Sequence, residues 1–150
     1  MRDHESAAVG ALAARFTALP NSVALDGNRR APAIADNLFV EPEAVRAEYE
    51  AAAGNEWPDD IRSVRSSAAL TTNLFAPLRE TARDGGPNAA TLLGQQVNWE
   101  ALRIEHRFST GAHGGSTNLD AFIPLPPGGR YEAVAAEVKL AEYFKKTTPP

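Results

Sequence analysis

The stretch NLDAFIPLPPGGRYEAVAAEVK, residues 118–139, decides the fold that we expect for this chain. Two strand candidates, NLDAFIPL at 118–125 and the segment that begins YEAVAAEVK at 131, flank the turn-forming segment PPGGR. This pattern predicts two β-strands joined by a tight turn. If the turn centres on Gly128 and Gly129, antiparallel pairing places Asp120 opposite Glu137.

The second of these strands carries a charged pair at strand spacing. Glu137 and Lys139 are two residues apart, so both side chains should project from one face, while Val138 and Leu140 turn to the other face for apolar packing. The hairpin therefore predicts a group of two carboxylates and one ammonium on a single surface.

The sequence around this hairpin predicts an α+β order of a helix followed by three mainly antiparallel strands. ALRIEHRF at 101–108 alternates like a strand, STGAHGGST at 109–117 is typical of a loop, and residues 131–144 indicate a long strand or a strand leading into a helix. Upstream, helical spacing predicts helices over 5–19, 42–53 and 61–75 and a short one over 89–97. We expect Asp59 or Asp60 to cap the third helix and Pro77 to bend or end it.

Composition indicates a cytoplasmic protein of one domain. The chain has 150 residues, 43% of them hydrophobic, and no cysteine, which excludes disulfides, thiolate metal sites and cysteine nucleophiles. No apolar run reaches the roughly 18 residues of a membrane span, and the N-terminus is a poor match to a secretory signal. The net charge of −4 is concentrated in residues 1–60, so charge alone does not point to nucleic acid.

Two carboxylates held close together repel each other unless a cation lies between them. Their hard oxygen atoms suit Mg²⁺ or Mn²⁺, and a neighbouring lysine can position an attacking water or stabilise developing negative charge. Asp120, Glu137 and Lys139 could therefore hydrolyse a phosphodiester. The plainer alternative is a cross-strand salt bridge on a solvated sheet face.

NLD at 118–120 followed by EVK at 137–139 resembles the D…(D/E)XK pattern of the PD-(D/E)XK (restriction-endonuclease-like) nuclease superfamily. SSAALTTNLFAPL at 66–78 and EVKLAEYF at 137–144 are similar to a bacterial branch of that superfamily. The resemblance implies an α/β sandwich, Asp120 and Glu137 as ligands of Mg²⁺ or Mn²⁺, Lys139 as the catalytic lysine, and DNA as the substrate.

We expect the chain to depart from that superfamily in one respect, because the residues after Phe144 are too few to form the final helix and strand of its core. We expect a helical extension over 1–55, a partial nuclease-like core over 56–144 and a disordered tail over 145–150. A partner chain or a homodimer would complete such a core. The alternative function is an inactive or truncated module that binds protein or nucleic acid.

Other polar residues near the hairpin have plainer interpretations. Glu100 and Glu105 could each supply a further metal ligand, but an ordinary surface acid is the simpler reading, with Glu105 sharing a charged face with Arg103 and Arg107. His106 falls on the apolar side of its strand and is expected to pack there. His113, in the glycine-rich loop, is a weaker candidate for a substrate contact.

Overall fold

The computed structural model describes residues 24–52, 54–86, 89–109, 111 and 116–139. The helices are α1 (Glu43–Ala51) and α2 (Ser67–Arg83), and three short 3-10 turns accompany them. The strands form two antiparallel sheets. The α+β fold class is confirmed. The first sheet pairs β1 (Ala89–Leu92) with β2 (Gln95–Asn98), and the second has the order β3 (Arg103–Ser109), β4 (Ser116–Pro124), β5 (Ala133–Ala136).

The β4–β5 hairpin has the register that the sequence predicts. Ala121 pairs with Ala136 and Pro124 with Ala133, which centres the turn between Gly128 and Gly129. Gly128 has φ 86°, a left-handed conformation that glycine adopts without a Cβ clash. β5 ends at Ala136, earlier than the long strand predicted over 131–144.

The helix predicted over 61–75 begins and ends later in the structure. Its N-cap is Ser66, whose side chain accepts a hydrogen bond from the backbone N–H of Ala69, whereas Asp59 makes no capping bond beside its 3-10 turn. Pro77 lies inside α2 and does not end it. The buried residues continue beyond the proline, at Arg79 and Ala82, so tertiary packing outweighs the lost backbone hydrogen bond. The helix predicted over 42–53 is confirmed as α1.

The helix predicted over 89–97 is wrong, because this segment forms the β1–β2 hairpin. Leu92 pairs with Gln95, which leaves a loop of Leu93 and Gly94 with φ 54° and 78°. Positive φ at both loop residues defines a type I′ turn, whose twist matches that of the flanking strands. The turn geometry therefore decides the structure of this segment over its weak helical pattern.

The hydrophobic core lies between α1, α2 and the β3–β4–β5 sheet. Tyr49 connects the two helices, because its hydroxyl donates to the Ala68 carbonyl at 2.9 Å and lies 2.8 Å from the Thr72 hydroxyl. One buried cluster combines residues from before and after residue 56, including Leu38, Val45, Ile61, Ala76, Leu102, Ile104, Ala121 and Ile123.

Arg79 is a charged residue inside this packing, with 2% of its side chain exposed. Its guanidinium donates to Glu48 at 2.6 Å and to the backbone carbonyls of Ala44 and Leu102. Glu48 in turn accepts from the backbone N–H of Ile104 at 2.8 Å. The network joins both helices to the edge of β3.

Several sequence predictions concern residues that the structure does not describe. They are the helix over 5–19, the tail over 145–150, and His113 with most of its loop. The prediction about a final core helix and strand is likewise not addressed by the described residues.

Candidate active site

Asp120 and Glu137 lie next to each other at the end of the β4–β5 ladder. Ala121–Ala136 is the ladder's terminal pair, and Asp120 on β4 and Glu137 after β5 are the residues that adjoin it in the chain. Asp120 accepts a hydrogen bond from the backbone N–H of Val138 through Oδ2 at 2.5 Å. This bond fixes the segment after β5 against β4 and holds the Asp120 carboxylate beside the Glu137–Lys139 segment.

Lys139 completes the predicted group. Its Nζ lies 2.7 Å from Glu137 Oε1, and 35% and 52% of the two side chains are exposed. A solvent-exposed ion pair contributes little to stability, in the range of 0 to about 1 kcal/mol. The pair can therefore separate at little cost when another charged group approaches. The structure thus brings all three predicted residues together at one end of the hairpin.

Glu105 is not the surface acid that the alternation of β3 predicts. Only 7% of it is exposed, and it has φ 50°, a left-handed conformation that is uncommon for a residue other than glycine. Ile104 and Glu105 are consecutive buried residues, so the alternation of the strand breaks at this position. The β3–β4 pairs on either side, Ile104 with Ala121 and His106 with Leu119, place Glu105 opposite Asp120.

Glu105 lies in an acidic electrostatic environment. Burial, and after it the negative charges of Glu56, Asp120 and Glu137, together raise the pKa of its carboxyl to about 7 against the opposing effect of Lys139. Burial also raises the pKa of Tyr49, with smaller contributions in the same direction from Glu105, Asp120 and Glu56. The negative charges of Glu56, Asp120 and Glu137 therefore all act on the pKa of Glu105.

Glu56 is a member of this group that the sequence interpretation missed. It precedes Trp57, whose ring stacks on Tyr49 with 6.0 Å between ring centroids. Its backbone carbonyl accepts a hydrogen bond from Ile61. Neither spacing nor motif connects Glu56 with residues so far along the chain. The sequence feature that could have indicated its position is the neighbouring Trp57, which anchors the segment to the core.

A metal ion is implied by the resemblance, and its fit depends on the donor set. Among the described residues, no three Asp, Glu, His or Cys side chains stand close enough to hold a metal together. Mg²⁺, however, commonly binds to one or two carboxylates and keeps several waters. Asp120 and Glu137 supply two carboxylates at adjacent positions, so the residues fit a site of this open kind.

The histidine and arginine residues of β3 have structural contacts. The ring of His106 lies 4.7 Å from that of Phe122, and burial lowers its pKa, with a further contribution from Arg103. This packing agrees with the interpretation of His106 as a packing residue. Arg107 donates to the Ser116 hydroxyl at 2.9 Å. The prediction that Glu105 shares a charged face with Arg103 and Arg107 is wrong, because Glu105 is buried while both arginines are exposed.

A comparison with known protein families gives the family to which the chain belongs. A family model described as restriction endonuclease associating with ARP matches residues 20–149. The chain belongs to this family. The match supports a restriction-endonuclease-related domain, with which the α+β fold is consistent. No curated protein and no solved structure matches the chain. Within the described ranges, no helix has the length and apolar character needed to cross a membrane.

Proposed function

We propose that this chain is a PD-(D/E)XK-type nuclease domain that hydrolyses phosphodiester bonds of DNA with Mg²⁺ or Mn²⁺. One observation supports the proposal: Asp120 accepts a hydrogen bond from the backbone of Val138, which stands between Glu137 and Lys139, and Lys139 contacts Glu137, in a chain of a restriction endonuclease family. DNA follows from the family's description as restriction endonucleases. The PD-(D/E)XK assignment follows from the pattern of Asp120, Glu137 and Lys139.

Asp120 and Glu137 are the residues that would hold the metal ion. When bound, the ion would lower the pKa of a water and neutralise charge on the phosphate. The hydrogen bond from Val138 restricts the orientation of the Asp120 carboxylate, which helps to preorganise the site. Oxygen ligands of this kind favour Mg²⁺ and Mn²⁺ over softer metals.

Lys139 would act on the reacting phosphate. Its ammonium donates hydrogen bonds to the oxygen atoms on which negative charge develops while water attacks phosphorus. One P–O bond to a sugar breaks as the new P–O bond forms, which yields a phosphomonoester and a free hydroxyl. Glu137 keeps Lys139 in position through their 2.7 Å contact before the substrate arrives.

The test is cleavage of supercoiled plasmid by the full chain in Mg²⁺ and in Mn²⁺, with Lys139→Ala prepared in parallel. Glu132→Ala is the control, because Glu132 is an exposed acid in the same hairpin connection. We expect nicking by the wild type and the control, and its loss in Lys139→Ala and in EDTA. Equal nicking by wild type and Lys139→Ala would refute the assignment of the site.

The alternative is a module that binds a partner without cleaving DNA. Two observations favour it: the family description names an association with ARP, and the described residues contain no preassembled set of three metal ligands. Calorimetric titration with Mn²⁺ separates the two functions. Binding that disappears in Asp120→Ala supports the nuclease, whereas the absence of any binding by the wild type supports the module.

A further inference from the structure

Arg103 and Arg107 are exposed arginines of β3, and neither forms an ion pair with an acid among the described residues. The chain has a net charge of −4, so acids are numerous enough to pair with arginines elsewhere. Five other arginines each lie within 3.4 Å of a carboxylate oxygen: Arg30, Arg46, Arg62, Arg79 and Arg83. Arg107 donates instead to the neutral Ser116 hydroxyl at 2.9 Å. Two positive charges of β3 are therefore available to an anion from outside the chain.

The β3–β4 register places both arginines on the face of the sheet that carries Asp120. Arg103 pairs with Phe122, and residues two apart on β4 share a face, so Arg103, Phe122 and Asp120 extend from the same side. The guanidinium of Arg107 reaches Ser116, which is four residues from Asp120 on β4 and therefore on that side as well. The opposite side of the sheet faces the core. Asp120 thus lies between two positive charges along one sheet surface.

Glu105 would oppose these charges if β3 alternated regularly, because it lies between Arg103 and Arg107 with a spacing of two residues on each side. Its left-handed φ of 50° interrupts the alternation, and only 7% of the residue is exposed. A left-handed residue other than glycine is unfavourable and persists only where the surrounding structure enforces it. Its consequence here is that the acid leaves the exposed surface and the two arginines stay unbalanced.

We propose that Arg103 and Arg107 bind phosphates of a DNA strand on either side of the phosphodiester that is cleaved. The inference rests on the proposed function, which supplies DNA as the substrate and Asp120 as part of the site. Phe122, opposite Arg103, and Ser116, beside Arg107, are separated on β4 by about 20 Å at a strand's rise per residue. One strand of DNA advances about 3.4 Å per nucleotide, so this span corresponds to about six nucleotides. A planar guanidinium suits such contacts, because its donors match two phosphate oxygens.

The test is the affinity of the full chain for a short fluorescein-labelled DNA duplex, measured by anisotropy in EDTA at a series of NaCl concentrations. EDTA removes divalent cations, so binding is measured without cleavage. Each lost phosphate contact should reduce the slope of log K against log salt concentration by about 1. It should also weaken binding by about 10-fold at low salt, as expected for a charge-assisted hydrogen bond. We expect both effects in Arg103→Gln and in Arg107→Gln.

Arg46→Gln is the matched control, because Arg46 is an exposed arginine that already pairs with Glu43 and Glu50 on α1. It changes the net charge by the same amount, so a loss of general attraction to DNA would affect all three variants equally. Arg103→Lys keeps the positive charge and should keep the salt slope of the wild type. Thermal unfolding in the same buffer should give each variant a Tm close to that of the wild type, because the replaced side chains are exposed.

The outcomes separate this inference from the proposed function. If Arg103→Gln and Arg107→Gln bind DNA with the affinity and salt slope of Arg46→Gln, the inference is wrong, and plasmid nicking that Lys139→Ala abolishes would still support the nuclease. If both variants lose affinity as expected while the wild type nicks no plasmid, the DNA-binding surface stands and the nuclease is wrong. A wild type that binds no DNA, or that binds a matched RNA duplex more tightly, would also overturn the inference.

Discussion

Replacing Arg79 with methionine should be among the most destabilising single changes in the described part of the chain. Methionine keeps an unbranched apolar side chain in the space of the arginine stem and removes the guanidinium. The carbonyls of Ala44 and Leu102 then lose a donor, and Glu48 loses the cation at 2.6 Å. The substitution thus breaks the connection between α1, α2 and β3 without a large cavity.

The size of the effect follows from the burial of these partners. Breaking a buried ion pair by removing one charge costs about 3 to 5 kcal/mol, because the other charge remains uncompensated. Glu48 retains 25% exposure and still accepts from Ile104, which favours the lower end of that range. We therefore expect Arg79→Met to lower the free energy of unfolding by about 3 kcal/mol. For a small domain this is a large share of the total stability.

Urea unfolding followed by far-UV circular dichroism at pH 7 measures this change. The control is Arg83→Met on the same helix, since Arg83 is 48% exposed and pairs only with Glu80 among the described residues. The control should change stability by less than about 0.5 kcal/mol. Equal midpoints for the two variants would refute the view that the Arg79 network supports the fold.

Three further predictions test particular positions. In metal-free buffer, the free energy of unfolding should fall by up to about 3 kcal/mol as pH rises from about 4.5 to about 7. The reason is that the raised pKa of Glu105 makes the folded chain bind more protons than the unfolded chain over that interval. Urea unfolding at a series of pH values should show this fall in the wild type and a smaller fall in Glu105→Gln. Ser66→Ala should destabilise the chain by about 1 kcal/mol, because the backbone N–H of Ala69 loses its N-cap acceptor, whereas Asp59→Ala should not. Equal changes in Tm for the two variants would argue against Ser66 as the N-cap of α2. Gly128→Ala should lower stability by about 1 kcal/mol, because its φ of 86° brings a Cβ too close to the following carbonyl, and an unchanged Tm would mean that the turn rearranges freely.

The β4–β5 hairpin could be predicted from the sequence because its signals are local. Apolar runs on each side of a proline- and glycine-rich turn define the hairpin, so the register of β4 and β5 follows within about twenty residues of chain. The helix α1 could be predicted for the same reason, because the signals over residues 42–53 are also local. The limits of α2 were predicted less well, because Asp59 and Ser66 are equally good caps by residue type, and only packing selects between them.

Glu105 and Glu56 could not be predicted because their positions depend on distant parts of the chain. Glu105 leaves the alternation of β3 through a single left-handed residue, which no neighbouring glycine indicates. Glu56 reaches the same neighbourhood through the stacking of Trp57 on Tyr49, a contact between two separate segments. Periodicity describes which face a residue occupies when backbone geometry is regular, so it fails where the backbone departs from that geometry.

The two acids next to Ile104 show how differently the fold treats charge. Glu48 accepts the N–H of Ile104 and is neutralised by Arg79, so this part of the β3 edge is balanced within the chain. Glu105 follows Ile104 directly, and the charges of three further acids raise its pKa while that of Lys139 lowers it. The balanced network fixes the position of β3, and thereby fixes Glu105 opposite Asp120. Because Arg79 compensates Glu48 while Glu105 has mostly acids near it, protonation is what offsets the burial of Glu105, and its pKa is raised to about 7 for that reason.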